Sequence, residues 1–218
     1  MRGRMGMRWG AGVVGLLGAG ALLAGCATVE IRDARVVRGR IVDEAGQPVA
    51  NTPVTLVGRT LGLDAPSFAY REDRRRELVA RTDEKGEYRF DFTPADLGNN
   101  FFLFFYGPEG FDGVRFRKAE PIDITDPLKV QRELRFDQVL RTQADWPEVQ
   151  RLIAEVGAES PRGQILRTHG LPEKREAFTL EGQAGETWWY YGLGVSYRFV
   201  GPKLLGRYPL EPPAGKAQ

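Results

Sequence analysis

Hydrophobic and polar residues alternate along much of the chain up to residue 137, in the period-two pattern of β-strands. Residues 87–92 show the pattern most clearly, because Glu87, Arg89 and Asp91 separate three aromatic side chains. Alternate residues of a strand share one face, so an aromatic face is predicted for this strand. Further strands are predicted at 36–42, 54–57, 78–82, 101–106, 114–118 or 122–124, and 130–136.

About seven short strands, separated by turns that contain Gly and Pro, predict an antiparallel β-sandwich. Residues 101–106 are apolar or aromatic at every position, which is typical of a central strand covered on both faces. The more polar stretch at 59–76 shows no such period, and we predict that it is a solvated loop.

The pattern changes after residue 145. Asp145 and Ser160 are placed to cap two helices, and three aromatic-rich strands follow, at 187–191, 195–200 and 204–208. Two helices followed by an antiparallel sheet predict a small α+β module over residues 145–208, so the predicted fold class is mainly β. Residues 209–218 are predicted to be a disordered tail.

The first 25 residues have the layout of a secretory signal. Arg2, Arg4 and Arg8 precede a stretch from Ala11 to Ala24 that is built only from Ala, Gly, Val and Leu. This order of charged and apolar segments is typical of signal peptides. A membrane-spanning helix needs roughly 20 apolar residues, so the stretch is short for a span, and an uncleaved anchor is the alternative interpretation.

The residues Leu23-Ala24-Gly25-Cys26 resemble the lipobox of bacterial lipoproteins. The resemblance implies that residues 1–25 are a signal peptide cleaved between Gly25 and Cys26, that Cys26 is acylated, and that residues 26–35 form a lipidated tether. Cys26 is the single cysteine of the chain. Its acylation would leave no thiol for disulfides, metal ligation or catalysis.

The same resemblance implies a location. Ala27, rather than Asp, follows Cys26, and lipoproteins of this type pass to the outer membrane, so we expect a lipid-anchored body that faces the periplasm. Removal of residues 1–25 takes away three arginines and no acidic residue, which changes the formal net charge from +2 to −1. A body without excess positive charge argues against a nucleic-acid partner.

The first part of the body resembles a known family of domains. Residues 37–43, 46–49, 54–56 and 81–90 have the order strand, turn glycine, strand, Thr-Asp-x-x-Gly turn and aromatic strand. This order is similar to that of carboxypeptidase regulatory-like domains and covers residues 36–137. The resemblance implies a seven-stranded antiparallel sandwich of the transthyretin type that is non-catalytic and serves as a support or an interaction module.

The last part of the body resembles another group of proteins. Residues 163–166, 170–172, 188–191 and 197–199 are similar to segments of the small helix-plus-sheet lipoproteins of the outer-membrane barrel-assembly machinery. This resemblance covers residues 145–208 and implies protein partners in the cell envelope.

Catalytic and metal chemistry have little support in the sequence. The single histidine, His169, is predicted to lie in the last turn of a helix and to cap its free carbonyl groups. A metal site needs three or four converging ligands, and a Ser-His-Asp triad would need the same histidine. We therefore predict no enzyme activity, no metal and no cofactor. A hydrolase that uses a carboxylate pair is the alternative.

The aromatic run at 188–191 is the first candidate binding feature. Alternation sends Trp188 and Tyr190 to one face of a strand and Trp189 and Tyr191 to the other, whereas the two predicted helices can cover one face only. Exposed aromatic clusters mark binding surfaces, so Trp189 and Tyr191 are candidate contact residues. Packing against the sandwich is the alternative.

The second candidate feature is the basic run at 71–76. Arg71, Arg74 and Arg75 could meet lipid phosphates or an acidic partner, since each basic residue near an anionic surface contributes about 1 kcal/mol. The interleaved residues Glu72 and Asp73 weaken this attraction.

These observations predict a non-catalytic, membrane-anchored protein-interaction or envelope-maintenance module. Its expected partners are the membrane, through the N-terminal lipid, and envelope proteins. The alternative is a lipoprotein that binds glycan or peptidoglycan through exposed aromatic side chains.

Overall fold

A computed structural model of the chain describes residues 31–64, 67 and 69–210. The predicted signal peptide, the predicted cleavage site at Gly25 and Cys26, and residues 211–218 of the predicted tail lie outside the described residues. The described residues form three four-stranded sheets and four α-helices. The predicted mainly-β fold class is therefore confirmed.

The first two sheets and two short helices occupy residues 35–140. Their elements are β1 (Arg35–Asp43), β2 (Pro53–Asp64), β3 (Ala69–Arg81), β4 (Glu87–Phe92), α1 (Pro94–Leu97), β5 (Asn100–Phe104), β6 (Ile122–Asp123), α2 (Thr125–Val130), β7 (Glu133–Arg135) and β8 (Gln138–Leu140).

Strand β1 is the centre of one sheet. It pairs antiparallel with β4 and parallel with both β7 and β8. The other sheet has the order β3-β2-β5-β6, and all its pairings are antiparallel. The sequence predicted antiparallel pairings only. Two pairings are parallel because α2 returns the chain to the start of β1, and β7 and β8 then run in the same direction as β1.

The two sheets pack face to face around a shared core. Strand β4 alternates strictly between exposed and buried residues, as its period-two pattern predicts. Phe102 and Phe104, on the other face of β5, are only half-buried. The core consists of alternate residues from both sheets, among them Val37, Ile41, Tyr88, Phe90, Phe92, Val54, Leu56, Phe101 and Leu103.

The stretch at 59–76 is not a loop, and that prediction was wrong. Strands β2 and β3 continue through it as one long hairpin that pairs as far as Asp64 and Ala69. Its distal part extends beyond the five residues of β5 that pair with β2. Both faces are therefore open to water, so the hydrophobic period from which a strand is recognised is absent.

The third sheet and two helices form the α+β part of the chain. Its elements are α3 (Trp146–Val156), α4 (Pro161–His169), β9 (Lys174–Leu180), β10 (Gln183–Tyr190), a 3₁₀ turn (Tyr191–Leu193), β11 (Val195–Val200) and β12 (Lys203–Pro209). The Ser160 hydroxyl accepts a hydrogen bond from the Gly163 amide at the start of α4. Asp145 precedes α3 without a capping bond from its side chain.

The sheet is an antiparallel meander in the order β12-β11-β10-β9. Helices α3 and α4 cover one of its faces and form a second core, which contains Val149, Leu152, Ile165, Leu166, Trp188, Tyr190, Val195, Tyr197 and Phe199. Strand β9 was not predicted, because it begins with the charged residues Lys174, Arg175 and Glu176. No helix among the described residues is long and apolar enough to cross a membrane.

Gly39 supports a testable prediction about the first core. It lies on β1, beside the point where the chain passes from β7 to β8. A Cβ atom at this position would overlap the carbonyl oxygen of Phe136. The same oxygen accepts a 2.7 Å hydrogen bond from the Tyr88 hydroxyl. We expect Gly39→Ala to lower the free energy of unfolding by about 1–3 kcal/mol, the usual cost of overpacking. Urea denaturation measures this change.

The control is Gly113→Ala. The nearest atom to a Cβ at Gly113 is Cδ1 of Phe111, at 3.9 Å. We expect a change within about 0.5 kcal/mol for this surface substitution. Equal losses in the two variants would show that the close approach of Phe136 is not the cause.

Candidate functional site

The third sheet has a face that the helices do not cover. Residues directly opposite each other on paired strands point to the same face. Trp189, Ser196 and Tyr208 are opposite one another across β10, β11 and β12, whereas the neighbouring Trp188 and Tyr190 are 1% and 2% exposed beneath the helices. Trp189 and Tyr208 therefore belong to the uncovered face.

Opposite Trp189 and Thr187, this face carries the ion pair Lys174–Glu176, and it carries three further residues that bear on the site. Phe178 of β9 is opposite Gly185, Arg198 of β11 is opposite Gly206 of β12, and Tyr191 stacks on Trp189. We call the aromatic residues of this face, together with its arginine, the outer aromatic face; its members are Phe178, Trp189, Tyr191, Arg198 and Tyr208.

Arg198 lies between two aromatic rings of this face. Its guanidinium carbon is 5.3 Å from the Tyr208 ring centroid and 5.9 Å from the Phe178 ring centroid. Contacts over a ring face at such distances are favourable cation–π interactions. The ring of Phe178 covers Gly185, where the missing side chain leaves room for it. Within the described part of the chain, Arg198 forms no ion pair, so its charge stays available to a partner.

The rings of Trp189 and Tyr191 form a stacked pair, which we call the platform. Their planes differ by 13° and their centroids are 6.0 Å apart. The Tyr191 side chain is 54% exposed and that of Tyr208 is 43% exposed, whereas Trp189 is half-buried. The indole nitrogen of Trp189 is buried and lacks a hydrogen-bond partner among the described residues. The platform therefore presents ring faces rather than polar groups.

The predicted arginine candidates lie elsewhere, on β3 of the second sheet. Arg71 pairs with Asp73 at 2.7 Å and Arg75 pairs with Glu77 at 2.6 Å. No ion pair of Arg74 is found among the described residues. The structure thus separates Arg71, Arg74 and Arg75 from the aromatic candidates and neutralises two of them.

His169 does not cap carbonyl groups, and that prediction was wrong. Its Nε2 atom is 2.9 Å from the Tyr197 hydroxyl, and the two rings stack with their centroids 5.7 Å apart. The ring lies among the aromatic side chains of the second core, which offer it a hydroxyl partner. Burial, together with the nearby charge of Arg207, lowers the pKa of His169 below its usual value of 6.5.

No set of three or more His, Cys, Asp or Glu side chains arranged for a metal ion occurs among the described residues. A surface groove of about 770 Å³ runs along α3 and α4, and its lining includes Trp146, Ile153 and Arg167.

Phe178 and Arg198 were not predicted from the sequence. The alternation of Phe178 and Leu180 on β9 was the available signal, although the charged start of this strand obscured it.

Comparisons with known proteins do not assign the chain to a family. No protein-family profile matches it, and no curated protein matches it. Among solved structures, it is similar to a 3-chlorocatechol 1,2-dioxygenase from Rhodococcus opacus, with 12% identity and a TM-score of 0.30 over 53% of this chain and 62% of that one.

Two further structures show similarity at the same low level. A DUF3823 family protein from Parabacteroides merdae has 7% identity and a TM-score of 0.28, over 78% of this chain and 58% of that one. A 9R-lipoxygenase from Cyanothece has 11% identity and a TM-score of 0.33, over 84% of this chain and 43% of that one. The chain thus spans less than two thirds of each of these proteins.

The environment of His169 predicts a pH dependence of stability. Because its pKa is lowered in the folded state, the unfolded chain binds a proton more readily. The free energy of unfolding should therefore fall as the pH drops through about 6.5 and level off below the folded-state pKa. Urea denaturation between about pH 7.5 and 5 measures this loss.

His169→Gln keeps a polar side chain at this position and removes the titration. We expect the variant to lose less stability than the wild type over the same pH range. An unchanged pH dependence in the variant would assign the effect to other groups.

Proposed function

We propose that this protein is a non-catalytic lipoprotein of the cell envelope that captures a protein partner with the outer aromatic face. The observation that carries the proposal is a sheet face with aromatic rings on three strands and an arginine between two of the rings, without a covering element among the described residues. Antiparallel sheets that face water are ordinarily polar on that side.

The composition of this face supports a protein partner. Aromatic residues and arginine are enriched at protein interfaces and among the residues that contribute most to binding. Tyr191 and Tyr208 combine a large apolar ring with a hydroxyl group, and neither has to be uncovered by a conformational change. A partner could therefore bury these rings without unfolding any part of the sheet.

The anchor in this proposal is Cys26. Its support is the Leu23-Ala24-Gly25-Cys26 sequence and the charged and apolar segments that precede it. Two or more acyl chains give stable membrane attachment, whereas one alone is marginal. We propose that the body, with a sandwich at 36–137 and a module at 145–208, faces the periplasm from the outer membrane.

A glycan partner is the second candidate. The exposed ring of Tyr191, which stacks on Trp189, favours it, because an exposed aromatic ring suits the apolar face of a sugar ring. Binding of the purified protein to isolated peptidoglycan separates this candidate from a protein partner.

Site-specific photocrosslinking in living cells tests the proposed surface. We expect a photoreactive residue at Tyr191 or Tyr208 to give a discrete protein adduct, because both side chains are open to solvent. The control position is Val139, which is 50% exposed in the first part of the body, and we expect no adduct there. Adducts at Val139 alone would place the interface elsewhere.

Substitution of the platform gives the matching affinity test. Once the crosslinked partner is known, we expect the double variant Trp189→Ala/Tyr191→Ala to weaken its binding by at least about 30-fold, as for one residue that dominates an interface. The control is Leu193, which is 52% exposed and two residues from Tyr191. We expect Leu193→Ala to bind like the wild type. Unchanged binding by the double variant would refute the proposed role of the platform.

Membrane fractionation tests the anchor. We expect wild-type protein in the outer-membrane fraction with an N-terminal mass that corresponds to triacylated Cys26, and Cys26→Ala protein without that modification. Wild-type protein that is soluble, or cleaved at another position, would refute the lipoprotein assignment while leaving the fold unaffected.

A further inference from the structure

A cleft next to the first described residue contains basic side chains and no acidic ones. It has a volume of about 320 Å³, and its lining includes Ile31, Thr60, Arg74, Ala95, Thr125 and Lys129. By contrast, the cleft at Arg38 also contains Asp83 and Glu87, and the cleft at Arg162 contains Glu155 and Glu186. The cleft at Arg74 therefore suits an anion better than either of these.

The long hairpin places Arg74 in this cleft. Arg74 and Thr60 are directly opposite each other on β3 and β2. They lie on the same side of the hairpin as Leu78 and the core residue Leu56, a pair that is four register positions away. Arg74 is therefore at the edge of the core, whereas the next residue, Arg75, points to the opposite side and pairs with Glu77.

The polar groups of the cleft are available to a ligand. Among the described residues, Arg74 has no acidic partner, and the Thr60 hydroxyl is buried without a hydrogen-bond partner. Lys129 pairs with Asp126 at 2.7 Å, but both side chains are largely exposed, and exposed pairs of this kind contribute little. An anion with several acceptor oxygens could bind all three side chains.

The position of the cleft along the chain indicates the source of the anion. The Ile31 carbonyl accepts a 3.0 Å hydrogen bond from the Ala95 amide at the rim of the cleft, which fixes the start of the described chain there. An extended chain reaches at most about 3.6 Å per residue. The step from Cys26 to Ile31 therefore spans no more than about 18 Å, so an anchored Cys26 would keep the cleft near the headgroup layer.

We propose that this cleft binds the phosphate of an anionic phospholipid headgroup. Arg74 and Lys129 supply the charge, the Thr60 hydroxyl donates a hydrogen bond, and the partly buried side chain of Ile31 faces the adjoining part of the lipid. The inference rests on the proposed lipidation of Cys26, which brings the cleft to the membrane. Its effect is to hold one side of the body against the bilayer.

Cosedimentation with vesicles tests the cleft independently of the anchor. The protein is the mature chain from residue 26 with Cys26→Ser, which contains both hydrophobic cores. The vesicles are phosphatidylcholine with or without phosphatidylglycerol. We expect binding to the phosphatidylglycerol vesicles only, and about 30-fold weaker binding for Arg74→Gln/Lys129→Gln, the change given by two basic residues at a lipid surface.

The matched control is Arg71→Gln/Arg75→Gln, which removes the same charge from the same part of the chain. Because neither of these arginines lines the cleft, we expect less than about a threefold change. Equal losses in the two double variants would overturn the proposal, since the attraction would then be a property of net charge. Absence of wild-type binding would overturn it as well.

Two further measurements complete the test. Thr60→Val removes the unpartnered hydroxyl, so it should preserve or raise the melting temperature while it weakens vesicle binding several-fold; unchanged binding would exclude the proposed hydrogen bond. Inorganic phosphate, at a concentration equal to that of the vesicle headgroups and at constant ionic strength, should not displace the protein from the vesicles, because it lacks the adjoining part of the lipid. Displacement would assign the cleft to free phosphate and overturn the lipid proposal, whereas the fractionation of Cys26→Ala tests the anchor separately.

Discussion

The structure depends on one constraint: every β-sheet has two faces, and a large apolar face must be covered. The first two sheets meet this constraint by packing against each other. Among the described residues, the third sheet is covered only by α3 and α4, which lie on the side that carries Trp188 and Tyr190. Since alternate residues of β10 point in opposite directions, burial of these two fixes Trp189 on the open side.

The length of the hairpin is the second determinant of the surface. Strands β2 and β3 have 12 and 13 residues, whereas β5 has five. The pairing with β5 stops at Asn100, the first residue of β5, which is opposite Arg59. Beyond this pair, the hairpin has no neighbouring strand on that side and passes from the core into solvent. Thr60 and Arg74 lie at this transition, and residues of α1 and α2 complete the polar cleft there.

Helices α3 and α4 were predicted from the residues placed to cap them, Asp145 and Ser160. Strand β4 was recognised because it has one apolar face and one polar face. The distal hairpin and the start of β9 were missed for the opposite reason, since charged residues occupy both of their faces. The contact between His169 and Tyr197 was also unpredictable, because it joins residues 28 positions apart that come together only when α4 packs on β11.

The arginines show how sequence spacing determines which charges remain available. Along a strand, residues i and i+2 share a face, and four arginines pair with the acid two positions later, in Arg71–Asp73, Arg75–Glu77, Arg89–Asp91 and Arg135–Asp137. Arg74 is followed at this spacing by Arg76, and Arg198 by Val200, so neither is followed by an acid on its own face of the strand. The two arginines at the proposed surfaces are thus among those that their own strands leave uncompensated. Because the spacing is a property of the amino-acid sequence, it indicates which strand arginines can still attract an anionic or aromatic partner.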